Sequence, residues 1–185
     1  KKCASLVDRN LGDALGQVYV AKTFSPATKA KTVEMTKYVE EAMADEIEKL
    51  DWMSAETKKL AMEKLASIVN KVGYPDRWRD YGALALSRNN FMGNVRNATI
   101  FESKRQLAKI GKPVDRLEWA MTPPTVNAQY DPQLNDITFP AGVLQPPLYD
   151  PKMDDAPNYG NTGSTIGHEL THGFDDEGRQ FDATG

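Results

Sequence analysis

Two histidines flank a glutamate in the pentapeptide His168-Glu169-Leu170-Thr171-His172. Residues four apart lie one above the other on a helix face, so both imidazoles can reach one zinc ion. The glutamate between them can reach a water on that ion and act as a base. A lone histidine is more often a satisfied core residue, but this pair uses both histidines of the chain. The pattern therefore predicts a zinc site suited to hydrolysis.

Two acidic residues follow the pentapeptide. Asp175 and Asp176 come three and four residues after His172, within reach on a helix. One of them can accept the imidazole N–H that a bound zinc leaves free, which would fix the tautomer of the ring. The alternative is that both are solvated acids at a helix end.

The elements ahead of the motif are predicted to be helical, because apolar residues recur there at helical spacing. Ser25 and Ser54 are the predicted N-caps, and Gly73 with Pro75 closes the third helix. The four predicted helices run from about Ala4 to Phe24, from Pro26 to about Leu50, from Ser54 through a stripe that reaches Val72, and from roughly Leu86 to Ile110.

The character of the sequence changes after Met121. Residues 125–130 and 136–140 are typical of two strands joined by a turn, which predicts a β-hairpin. A proline-rich loop follows, and Thr162 is the predicted N-cap of the helix that contains the two histidines.

The composition limits the classes of protein to which this chain can belong. The chain has 185 residues, is 40% hydrophobic and has a net charge of -3, which suits one large or two small domains. Nothing suggests a nucleic-acid partner, and no apolar stretch is long enough to be a transmembrane segment. Cys3 is the one cysteine, so it is either a small buried residue or half of a bridge whose partner lies elsewhere.

Four blocks of the sequence, residues 126–130, 139–147, 158–160 and 167–176, form an ordered set of motifs. In order and spacing they resemble the neprilysin-like M13 zinc metallopeptidases. The helical half is also similar to that family, notably around residues 50–53 and 72–75, so the resemblance covers nearly the whole chain.

The resemblance implies a role for each matching residue. His168 and His172 would be zinc ligands, and Glu169 would be the general base that takes a proton from the zinc-bound water and passes it toward the leaving amine. Asn127, by its side chain, and Ala128, by its carbonyl, would bind the backbone of a peptide substrate along an edge strand. From the residues alone, Asn127 reads instead as a turn residue at a strand end.

The chain departs from the family pattern most importantly in its zinc ligands. A hydrolytic zinc site needs three protein ligands and a water, and this sequence supplies two. The family's third ligand is a glutamate in a downstream Glu-x-x-x-Asp segment, which does not occur here. We therefore expect an internal piece of a longer enzyme, lacking N- and C-terminal parts, with the third ligand of Zn²⁺ outside these residues.

Two hypotheses follow. The parent protein is a zinc-dependent endopeptidase that hydrolyses small peptides, and the 185 residues alone are inactive. Alternatively, the polypeptide is a catalytically inert helical module with an incomplete zinc site. The resemblance favours an exported, periplasmic or membrane-anchored location, with the cytoplasm as the alternative.

The predicted fold class is α+β and mainly α, with long amphipathic helices followed by a small hairpin and a zincin active-site helix. It would be a piece of a two-lobed gluzincin metallopeptidase. Residues 1–115 would form the helical region, from the interlobe part and helical lobe, and residues 116–185 the N-terminal part of the zincin catalytic domain, ending before the third ligand.

Overall fold

A computed structural model describes all 185 residues as a mainly helical chain with one small sheet, which confirms the predicted fold class. The helices are α1 (Lys2–Thr23), α2 (Pro26–Lys49), α3 (Ala55–Ala66), α4 (Phe91–Leu107), α5 (Asp155–Asn158) and α6 (Ser164–His172), and the strands are β1 (Val69–Gly73), β2 (Gln129–Asp131) and β3 (Asp136–Pro140).

Side-chain caps fix where the long helices begin. The Ser25 hydroxyl accepts a hydrogen bond from the N–H of Thr28 at 3.0 Å, and Pro26 occupies the first turn. The Ser54 hydroxyl accepts from the N–H of Thr57 at 3.2 Å. Each bond satisfies one of the donors that a helix start leaves free. Both predicted caps are confirmed.

The third predicted helix is wrong beyond Ala66. There α3 ends, and Val69–Gly73 forms β1, which pairs in parallel with β3. Val72 is buried as predicted, but as a strand residue opposite Phe139. The β-branched residues after Ala66 favour a pleated strand, and pairing with a distant strand overrides the helical spacing.

The sheet has the order β1-β3-β2, with β2 antiparallel to β3. The predicted hairpin is confirmed, although β2 is shorter than residues 125–130. Its turn places Asn135 at a φ of 47°, a left-handed conformation that asparagine tolerates. All five residues of β3 are buried, so the central strand is enclosed on both faces.

The helix that contains the two histidines starts earlier than predicted. A continuous helical stretch runs from α5 through a π-helical turn, Tyr159–Gly163, into α6. Thr162 is therefore not an N-cap, and its hydroxyl donates to the carbonyl of Leu148 at 2.8 Å. Pro157 is accommodated in the first turn, where its missing N–H costs no hydrogen bond.

One hydrophobic core joins the sheet to α2, α3 and α6. Ile137, Phe139, Ile166 and Leu170 are each at most 1% exposed within it. Residues before and after position 115 both contribute to the core and to the sheet. The division into two domains at that position stays a prediction.

None of the helices has the length and apolar character needed to cross a membrane. Cys3 is exposed and unpaired within the chain, so its interpretation as a small buried residue is wrong. A bridge to a partner elsewhere stays a prediction.

Candidate metal centre

Helix α6 presents its two histidines side by side. The Nε2 atoms of His168 and His172 lie 3.1 Å apart, and the ring planes are nearly perpendicular. Both side chains are exposed, whereas Ile166 and Leu170 on the same helix are buried in the core. The helix is therefore held by its apolar face, and the imidazoles project from the other.

Asp175 contacts the ring of His172. Its Oδ2 lies 2.7 Å from Nδ1 of His172. The backbone N–H of Gly178, followed by the His172 ring, holds the pKa of Asp175 below its usual range, so its carboxylate is ionised at neutral pH. In the neutral tautomer whose Nδ1 donates to this carboxylate, Nε2 of His172 carries the lone pair that a metal ion would use. Asp176, the other predicted acid, is exposed and has no such contact.

Glu169 differs from both histidines in burial. The residue is only 7% exposed, although both histidines of the motif are exposed. It therefore lies where α6 meets the rest of the protein, and its carboxylate has less water around it than a surface acid has. Reduced hydration strengthens the interaction of a carboxylate with a nearby cation.

The two predicted substrate-binding residues precede the edge strand. Asn127 is exposed, and Ala128 is half-buried against the core. β2 pairs only with β3, so its other edge is open. Tyr130 of β2 approaches α6, because a Cβ on Gly173 would lie 3.3 Å from the Tyr130 hydroxyl. The open edge and the histidine helix therefore meet at Gly173.

The donor set fits two of the ligands of a tetrahedral zinc ion. Nitrogens that bind one such ion at 2.0–2.1 Å lie roughly 3.3 Å from each other, close to the 3.1 Å between the two Nε2 atoms. No group of three or more His, Cys, Asp or Glu side chains is placed to hold a metal. The chain itself supplies a pair of imidazoles with one orienting carboxylate.

Sequence reasoning did not identify Lys64, which the structure places behind this site. Lys64 is 5% exposed, and its ammonium donates to the carbonyls of Gly173, Gly178 and Phe181. A signal was present in the sequence, since Lys64 falls on the apolar stripe between Ala61 and Ile68. A charged residue on a buried stripe must find partners.

Two models described as peptidase family M13 match most of the chain, one over residues 1–75 and the other over residues 127–185. The chain belongs to peptidase family M13. The match confirms the resemblance seen in the sequence blocks. As an M13 chain, it comes from a family of zinc metallopeptidases.

Relatives of this M13 chain are considerably longer. Neprilysin-11 of Caenorhabditis elegans is 38% identical over 193 residues, which include 100% of this chain and 23% of the relative. Endothelin-converting enzyme-like 1 of Rattus norvegicus is 39% identical over 189 residues, with 99% and 24% covered. The chain thus spans about a quarter of the length of these curated relatives.

A solved structure shows the same fold. The crystal structure of the Mycobacterium tuberculosis zinc metalloprotease Zmp1 in complex with an inhibitor superposes with a TM-score of 0.88 at 47% identity. The match covers 97% of this M13 chain and 27% of the Zmp1 chain. The three-stranded sheet and the histidine helix therefore belong to an established metalloprotease architecture.

Proposed function

We propose that the protein containing this chain is a zinc-dependent endopeptidase that hydrolyses small peptides. The observation that supports this most is the 3.1 Å approach of the two Nε2 atoms on a helix whose intervening residue is a buried glutamate. Membership of a zinc metallopeptidase family supports the same chemistry. An exported, periplasmic or membrane-anchored location stays a prediction from the resemblance.

In this proposal His168 and His172 hold the zinc ion through their Nε2 atoms. When bound, zinc would polarise the scissile carbonyl and make water more acidic. Asp175 accepts the Nδ1 proton of His172, at 2.7 Å, and so keeps the ring in the orientation and tautomer that offer Nε2. The third ligand would be a glutamate outside these 185 residues.

Glu169 would be the general base. Its carboxylate takes a proton from the attacking water and passes it toward the nitrogen of the leaving amine. Burial supports this role, because a side chain enclosed between α6 and the rest of the protein is restricted to few orientations beside the two imidazoles. Its place on the helix, between the two imidazoles, keeps it within one turn of both.

The edge of β2 would hold the substrate. An extended peptide can add to an open strand edge by main-chain hydrogen bonds, which are insensitive to substrate side chains. Asn127 would bind the peptide backbone by its amide and Ala128 by its carbonyl. The contact between Tyr130 and Gly173 supports this arrangement, because it puts the edge strand next to the histidine helix.

A second candidate is that the 185 residues alone form an inert module. The absence of a third metal-binding side chain near the two imidazoles favours it for this piece of the protein. Two imidazoles bind zinc far more weakly than a complete site. The two candidates are compatible if the parent is active and the isolated chain is not.

The test is Glu169→Gln in the full-length protein. Loss of the base should lower kcat by about 10²–10⁴-fold, while one zinc per molecule remains bound. Peptide hydrolysis and zinc content would be measured on the same preparation, with Glu63→Gln on an exposed helix face as the matched control. A Glu169→Gln protein with full zinc and more than about a tenth of wild-type activity would contradict the role of Glu169.

A further inference from the structure

Lys64 of α3 is a buried cation that contacts no carboxylate. Its Nζ donates to the carbonyls of Gly173 at 2.6 Å, Gly178 at 2.7 Å and Phe181 at 2.8 Å. These three bonds use all three protons of the ammonium group. Burial lowers the pKa of Lys64, against the opposing effect of Asp182 and Asp175. Such a complete set of bonds fixes the position of the acceptors as well as that of the lysine.

The three carbonyls belong to the turn that follows α6, residues 173–181. This turn contains Asp175, whose Oδ1 accepts the N–H groups of Gly178 at 2.8 Å and Glu177 at 3.1 Å. The other oxygen of Asp175 contacts His172. One side of the turn is therefore held by Lys64, and the other side orients the imidazole.

The turn is packed closely against the end of α6. A Cβ on Gly178 would lie 1.9 Å from the carbonyl oxygen of His172, so no other residue fits there without movement. A displacement of the turn therefore moves either the end of the helix or the Asp175 carboxylate. Either movement changes the direction of the His172 ring.

Lys64 is also tied to the edge strand. Its backbone carbonyl accepts from the Nδ2 of Asn135, and Asn135 Oδ1 accepts from the Tyr130 hydroxyl at 2.8 Å. Burial, with nearby carboxylates, raises the pKa of Tyr130 to about 12, so that hydroxyl keeps its proton at neutral pH. The ammonium of Lys64 lies 5.9 Å from the centre of the Tyr130 ring. One residue thus links β2 to the turn after α6.

We propose that Lys64 is a positioning residue: through the turn of residues 173–181 and Asp175, it holds His172 in the orientation that binds zinc. The inference rests on the proposed zinc site. Removal of the ammonium would leave three carbonyls without a donor, two of them on the buried residues Gly173 and Gly178, and the turn would relax toward water. The Asp175 carboxylate would then lose its fixed direction.

The first test compares Lys64→Met with Lys59→Met in the full-length protein. Lys59 lies on the same helix with an exposed side chain, so it controls for loss of a charge from α3. Zinc affinity would be measured by competition between the protein and a fluorescent chelator. We expect Lys64→Met to weaken zinc binding roughly tenfold, the lower end for groups that orient a metal ligand, and Lys59→Met to leave it unchanged.

The second test asks whether Lys64 acts through Asp175. In the metal-free wild type, the Nδ1 proton of His172 should give a low-field NMR signal, and Lys64→Met should broaden or remove it. In a double-mutant cycle, Lys64→Met should weaken zinc binding much less in an Asp175→Asn background than in the wild type. A general structural role would give additive losses and leave the proton signal in place.

The outcomes separate the inference from the proposed function. Wild-type protein that binds no zinc would overturn both. Wild-type binding with an unchanged Lys64→Met affinity, or additive losses in the cycle, would overturn the inference alone. If Lys64→Met does not fold, Lys64→Gln replaces it, because glutamine keeps two N–H donors for the three carbonyls. Because one donor is still lost, its zinc affinity should fall less than about tenfold, and an unchanged affinity with an unchanged His172 signal would overturn the inference.

Discussion

The region around the sheet and the region around α4 are held together by different forces. Ile166 and Leu170 of α6 are at most 1% exposed, and the cations Lys64 and Lys71 are buried with hydrogen-bonded partners. In α4 only Ala98 is buried, and Phe91 is 60% exposed.

Around α4, partly exposed ion pairs replace a hydrophobic core. Arg79 and Arg105 both contact Glu102, and Arg105 and Lys109 both contact Glu118. Pairs of this kind are screened by water and contribute little each. The candidate site therefore lies on the part of the molecule with the greater resistance to local opening, which a metal site needs for fixed geometry.

The largest expected effect uses the same substitution in both regions. Phe139→Ala should lower the free energy of unfolding by about 3–5 kcal/mol, since it opens a cavity in the core. Phe91→Ala, at an exposed position, should change it by less than about 0.5 kcal/mol. Urea denaturation of both variants measures the difference. Similar losses in the two would mean that α4 is buried in solution.

A second prediction compares a buried ion pair near the sheet with a partly exposed ion pair near α4. Lys71 and Asp136 form a buried pair, with side chains 4% and 2% exposed, and Lys71 also donates to the carbonyl of Glu118. Lys71→Met should lower the free energy of unfolding by about 3 kcal/mol, the lower end of the range for removing one partner of a buried ion pair. The matched variant Arg79→Met, which breaks a partly exposed pair, should cost less than about 1 kcal/mol.

The pH dependence of the Lys71→Met loss gives a check on its cause. Burial raises the pKa of Asp136, against the opposing effect of Lys71. Without the lysine, Asp136 can take up a proton and avoid remaining as an unpaired ion. The difference in unfolding free energy between wild type and Lys71→Met should therefore shrink as the pH falls. A deficit independent of pH would indicate lost packing by the lysine stem instead.

A structural feature of this chain can be predicted from the sequence when the residues that form it lie close together along the chain. Ser25 and Ser54 cap helices through bonds three residues away, and the histidine spacing acts within one helical turn, so these features could be predicted. β1 could not, because its pairing with β3 depends on residues far along the chain. Lys64 was missed for the same reason, since its acceptors begin 109 residues later.

The smallest expected effect concerns the ion pairs of α4. Hydrogen bonding to Arg105 is the main cause that lowers the pKa of Glu102 from 4.5 to about 2. A lowered acid pKa contributes stability that is present above pH 4.5 and is lost as the pH falls toward 2. Because the Glu102 side chain is 39% exposed, the contribution should stay below about 1 kcal/mol.

Glu102→Gln should remove that pH-dependent contribution. The gap in unfolding free energy between wild type and variant should narrow between pH 4.5 and pH 2. Arg105→Gln, which removes the partner, should give a gap that narrows over the same range. A gap that widens on acidification would show that the carboxylate is not stabilised by the arginine.

X-ray absorption at the zinc edge shows whether His168 and His172 of α6 bind one zinc ion. For the full-length protein loaded with one zinc ion, we expect two imidazole nitrogens at about 2.0–2.1 Å. His172→Ala should remove one imidazole from the shell of any zinc that remains bound. A shell without imidazole, or an imidazole shell that is unchanged in both His168→Ala and His172→Ala, would show that these histidines do not bind the zinc ion.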